Sequence, residues 1–160
     1  MKSRLPLFET IAAVVAVCAV AFLTALPATQ TSSGQANVEL NDSLSVLRTA
    51  VFRYSMDHQV DGSPLHPGTN GEFLDQLTGR SRSDGRTIRT DELEDRFFGP
   101  YLETIPGNPV NGLSTVRVMP HGFDEPVLNG SSGWVYLPGT GEIFADLPGA
   151  DSRGVAYLEY

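Results

Sequence analysis

The chain has 160 residues with 11 Lys or Arg against 19 Asp or Glu, for a net charge of −8, and a single cysteine, Cys18. Lys2 is the only lysine, and the arginines from Arg80 to Arg96 alternate with Asp84, Asp91, Glu92, Glu94 and Asp95, so the clustered positive charge that neutralises phosphate is missing and nucleic acid is excluded as a partner. A lone cysteine excludes an intrachain disulfide and a thiolate metal site.

The first element is apolar. Thr10 to Leu26 carries no charge, and counting Leu5, Leu7 and Phe8 the mostly apolar stretch from Leu5 to Leu26 reaches roughly 33 Å as a helix, about the thickness of a bilayer's hydrocarbon core, and gives an anchor over 5–27. Lys2 and Arg4 precede it and hold that end in the cytoplasm by the positive-inside rule, which sends the acidic remainder across. A cleaved secretory signal with its cut near Leu26-Pro27-Ala28 competes with this reading, but the uncharged run exceeds a signal's usual apolar core and Glu9 stands where signals carry no acid. A lipoprotein signal at Cys18 fits poorly, because the bulky Val17 precedes it. A carboxylate at a bilayer edge costs several kcal/mol unless it is paired or protonated, which makes Glu9 the informative residue of a retained anchor.

Ala28 to Gly34 is a small polar stretch that either links two units or loosens one continuous helix. Beyond it, Leu40, Leu44, Leu47, Val51, Tyr54 and His58 recur at helical spacing on one face, which predicts an amphipathic helix from about Asn37 to His58 packed against a sheet. Asp61-Gly62-Ser63-Pro64 and His66-Pro67-Gly68 end it. Glu72 to Leu77 reads as a short helical turn with Phe73, Leu74 and Leu77 on the core, and Thr78 to Asp95 as an exposed polar loop. Phe97 to Leu102 is a packed segment, and Ile105 to Gly112 a turn-rich connector.

Two strand signals follow. Ser114 to Met119 alternates and is β-branched, and Gly133 to Leu137 is joined through Pro138 to Gly141 with Glu142 to Ala145 as a hairpin; a further strand is expected over Val155 to Tyr160. The whole predicts an α+β fold in which a long N-terminal helix, transmembrane half followed by amphipathic half, packs on a small C-terminal antiparallel sheet.

A short basic leader, a few apolar residues, Glu9, a long apolar run and Pro27 together resemble the N-terminus of type IV pilins and type II secretion pseudopilins. The later order of elements, with GPYLETIPGNPVNG and GWVYLPGTGEIFAD, is similar to the major pseudopilin head. The resemblance implies a leader 1–4, an anchor and assembly helix 5–27 and an extracytoplasmic or periplasmic pilin-like head 28–160. It implies cleavage between Arg4 and Leu5 by a prepilin peptidase, although Arg4 and Leu5 stand where that family has glycine and phenylalanine. In the family the glutamate corresponding to Glu9 pairs with the amine of a neighbouring subunit, which gives self-association and filament formation with other pilin-like subunits in the cytoplasmic membrane. No enzyme activity is implied. Major pseudopilins bind calcium in a C-terminal loop, and the candidate ligands here are Glu142, Asp146 and Asp151, without a residue-by-residue match. The alternative is a membrane-anchored or secreted binding module with a pilin-like head that does not polymerise.

Overall fold

Helix α1 occupies residues 33–57 of the computed structural model, which describes residues 33–69, 72–88 and 96–160. Residues 33 and 34, the end of the predicted polar linker, are thus already helical. The expected stripe is the buried face of α1: Leu40, Leu44, Leu47 and Tyr54 have no exposure, Val51 has almost none, and His58 is buried just beyond the last turn. Full burial of each such side chain contributes about 1.5–3 kcal/mol. The apolar segment 5–27 lies outside the described residues, among which no helix is long and apolar enough to cross a membrane. The chain divides into two units, Met1–Ala36 and Asn37–Tyr160, and the second contains every strand described below.

Past α1 the chain reverses in a minimal hairpin of β1 (Gln59–Val60) and β2 (Ser63–Pro64), closed by Asp61 at φ 52° and Gly62 at φ 79°. Positive φ at both turn positions is the geometry that two-residue hairpin loops require, and Asp-Gly is a preferred pair for it. Helix α2 (Phe73–Thr78) buries Phe73, Gln76 and Leu77, whereas Leu74, expected on the core, is exposed. The predicted loop from Thr78 contains a second hairpin, β3 (Arg80–Ser81) with β4 (Thr87–Ile88). Hydrogen bonds rather than apolar side chains seat it: buried Gln76 donates to Gly85 C=O at 2.7 Å and accepts from Gly68 N–H at 2.6 Å, and Ser81 exchanges two main-chain bonds with Phe98.

The terminal sheet has the order β5 (Val116–Val118), β6 (Trp134–Leu137), β7 (Glu142–Ala145). Strands β6 and β7 form the expected antiparallel hairpin, but β5 pairs parallel to β6, with Val116 opposite Trp134 and Val118 opposite Tyr136. The sheet is therefore mixed, not antiparallel. A parallel pair needs a crossover of a dozen or more residues, and 119–133 supplies it. Val155 to Tyr160 is not a strand: the segment makes one bridge, Ala150 to Ala156, and ends in a short 3-10 helix over Tyr157–Glu159. The main-chain N–H groups of Arg153 and Val155 point at the Asp151 carboxylate and are not offered to a ladder.

The core lies between α1 and the sheet, where Trp134, Tyr136, Ile143 and Ala145 meet the Leu40 to Tyr54 face together with Phe73 and Leu77. On the far side Val135 and Leu137 pack with Met119, Leu128 and Phe144, so β6 is buried on both faces. Burial on both faces explains why its sequence is continuously apolar rather than alternating. The start of β6 also needs a glycine, because a Cβ on Gly133 would stand 2.0 Å from the Leu113 carbonyl oxygen.

Candidate functional site

Of the residues singled out in the sequence, Arg4, Leu5 and Glu9 lie outside the described residues, as does the acidic run 91–95. The calcium candidates are described, and they are not assembled into a cation site. Glu142 is exposed at the start of β7, whereas Asp146 and Asp151 are buried in separate cages of hydrogen-bond donors.

Asp146 follows β7, and the loop 129–132 wraps around it. Its Oδ1 accepts from the N–H groups of Asn129 at 2.7 Å and Gly130 at 3.1 Å, and its Oδ2 from the Ser132 N–H at 3.0 Å and hydroxyl at 2.7 Å. Arg117 of β5 adds an ion pair at 3.2 Å, with the Asp146 side chain wholly buried and the Arg117 side chain 27% exposed, and also donates to the Val127 carbonyl. Burial would raise the Asp146 carboxyl, but the Ser132 hydroxyl and the three main-chain N–H groups outweigh it and hold it below its ordinary range.

Asp151 organises the C-terminal segment. Its Oδ1 accepts from the N–H groups of Arg153 and Val155, and its Oδ2 from Asn37 Nδ2 at 2.8 Å, Arg153 Nε at 2.8 Å and the Tyr160 hydroxyl at 2.7 Å. The Tyr160 hydroxyl, then the Arg153 side chain and the two N–H groups, hold this carboxyl well below the usual carboxylate range against the opposing push of burial. Arg48 completes the fastening by donating to the Tyr160 carbonyl at 2.7 Å and to the Ile143 carbonyl at 3.3 Å. Both aspartates thus bind their own chain. Among the described residues no group of three or more His, Cys, Asp or Glu side chains could hold a metal ion.

The histidines are likewise structural or peripheral. His58 stacks on Tyr54 at 3.9 Å, its Nδ1 lies 2.8 Å from the Tyr54 carbonyl and its Nε2 2.8 Å from the Ser81 hydroxyl. A carbonyl can only accept, so Nδ1 carries the proton, and a neutral ring accepts from Ser81. The buried imidazole ties the end of α1 to β3.

The surface that sequence reasoning missed is the other side of α1. Phe52 and Met56, one turn apart and opposite the core stripe, are 64% and 54% exposed; Val38 is exposed on the same side about four turns earlier, with the polar Asp42, Ser45 and Thr49 between, and Val46 lies exposed to one side. Phe52 and Met56 also line a groove of about 520 Å³ between α1 and β7, bounded by Arg48, His66 and Glu142. The signal was present only as the i, i+4 pair Phe52 and Met56, masked by the stronger core stripe. Chemically this face offers dispersion and burial of apolar surface, with Arg48, His66 and Glu142 at the edge of its groove.

Comparison with known protein families, curated proteins and solved structures finds no match to this chain.

Proposed function

We propose that the chain is a structural subunit of a type II secretion pseudopilus or type IV pilus-like filament, held in the cytoplasmic membrane by residues 5–27 with its head extracytoplasmic. The observation that carries this reading is the two-sided character of α1. One face is buried under a terminal sheet, and the opposite face presents Val38, Phe52 and Met56 to solvent. The adjacent Phe52 and Met56, with the apolar groove beside them, form a patch of the kind that marks an interaction surface. A filament of parallel helices would cover it. The basic leader, the apolar run and Glu9 support the same reading from the sequence. The role is mechanical rather than catalytic.

The departure of Arg4, Leu5 and Pro6 from the family's processing site favours one second reading, an anchored or secreted binding module that does not polymerise. The N-terminus of protein recovered from membranes separates the two. An N-terminus at Leu5, with cross-links between copies through a photoreactive residue at position 56, supports assembly. Thr29 as the first residue means a cleaved secretory signal and rejects the filament, and an intact Met1 without cross-links leaves the anchored module.

A further inference from the structure

The free edge of the terminal sheet is used by neither aspartate cage nor by the outward face of α1. In the parallel pair, the Trp134 N–H donates to the Thr115 carbonyl at 3.1 Å and the Met119 N–H to the Tyr136 carbonyl at 2.9 Å. Residues 115, 117 and 119 therefore direct their main-chain groups at β6. The N–H and C=O groups of Val116 and Val118 face the other way, and they have no partner among the described residues.

Beside this edge lies a cleft of about 610 Å³ between β5 and α2. Its floor is apolar, built by Phe73, Leu74, Ile105 and Val118. Its rim carries Glu72, Asp75 and Glu103, all exposed, and among the described residues no basic side chain lines it. An unpaired strand edge next to an apolar cleft is the arrangement by which sheets capture extended peptides: main-chain bonds give affinity, and alternate side chains entering the cleft give specificity.

We propose that β5 accepts an added strand from a partner protein, an extended segment whose cleft-facing positions are apolar at the centre and Lys or Arg at the ends. Its main chain pairs with Val116 and Val118, its apolar side chains enter between β5 and α2, and its terminal bases meet Glu72, Asp75 and Glu103. The acidic rim selects a basic segment over a second copy of this chain, because two copies joined edge to edge through β5 would bring two such rims together.

The test uses full-length protein in detergent micelles and the peptide acetyl-Lys-Thr-Val-Thr-Val-Thr-Lys-amide carrying a fluorophore. Binding read by anisotropy is expected to weaken as salt rises, and the Val116 and Val118 amides are expected to gain protection from hydrogen exchange. Val118→Pro deletes a free-edge N–H without touching a bond to β6, and is expected to weaken binding at least about tenfold. Asp75→Lys with Glu103→Lys, both on exposed side chains, is expected to weaken binding and remove its salt dependence, and carries the test alone should the proline variant misfold. Equal binding by the peptide N-methylated at every Val and Thr, which cannot pair as a strand, would overturn the proposal. So would protection of Val116 and Val118 that grows with protein concentration in the absence of peptide, since the occupant would then be a second copy. None of these readouts depends on how the N-terminus is processed.

Discussion

Asp146 and Asp151 are the residues on which the C-terminal half turns, and each predicts a separate measurement. Asp146→Asn leaves the Arg117 guanidinium without its counter-charge and places an NH2 group among donors that need an acceptor. Breaking one side of a buried pair costs about 3–5 kcal/mol, and a loss of that order is expected in urea denaturation. For Asp151 the observable is pH. Its folded carboxyl sits below the unfolded value of about 3.9, so the stability it contributes is fully present above that value and is lost as pH falls below it. Melting curves of the wild type and Asp151→Asn are expected to differ by a constant gap above about pH 5, and the gap to close towards about pH 2. A gap that persisted into acid would show that the carboxylate charge is not what holds the segment. The acidity of both residues was legible in the sequence, and their meaning was not. The loop that fills Asp146 lies 14–17 residues upstream, and Asn37, which caps Asp151, lies 114 residues away. Spacing within the C-terminal loop carries no trace of either contact.

Elements were legible where periodicity encoded them. The 4-3-4-3-4 spacing of Leu40 to His58 specified which side of α1 is buried, because only a 3.6-residue period brings those six side chains onto one face. The β6–β7 hairpin was legible from its apolar strands and glycine-rich turn. Two features escaped for physical reasons. The β3–β4 hairpin buries main-chain and amide hydrogen bonds rather than apolar side chains, so hydropathy is silent over it. The direction of β5 is set by its connection to β6 and not by its own residues, since an alternating strand reads the same in either orientation. The two faces of α1 predict opposite outcomes. Leu44→Ala, at a site with no exposure, is expected to cost about 2–5 kcal/mol of stability and leave cross-linking from position 56 intact in whatever protein remains folded. Phe52→Glu, at a site 64% exposed, is expected to change stability by no more than about 0.5 kcal/mol and to abolish that cross-link. If Phe52→Glu cross-links as well as the wild type, the outward face of α1 is not an interface.

At the scale of the whole molecule the chain separates into Met1–Ala36 and Asn37–Tyr160, and the filament proposal assigns them different work. The second unit has its own core and its own fastening of the C-terminal segment to α1, through Asn37 and Arg48. Substitutions in the apolar N-terminus are accordingly expected, on that proposal, to leave the stability of this unit unchanged. Assembly, in contrast, is assigned to the anchor, where Glu9 in apolar surroundings is stable only if neutralised or paired. Glu9→Gln removes the charge while keeping size and hydrogen-bonding capacity. Thermal unfolding of the Asn37–Tyr160 unit is expected to be unchanged, and the protein is expected to remain in the membrane fraction, because glutamine costs less than glutamate in that setting. Cross-linking between copies is expected to disappear, because the charge that would meet a neighbouring amine is gone. Loss of the membrane fraction would mean that Glu9 serves insertion. Cross-linking that survives would mean that copies associate through the outward face of α1 alone, and the Phe52→Glu variant would then account for the whole of assembly.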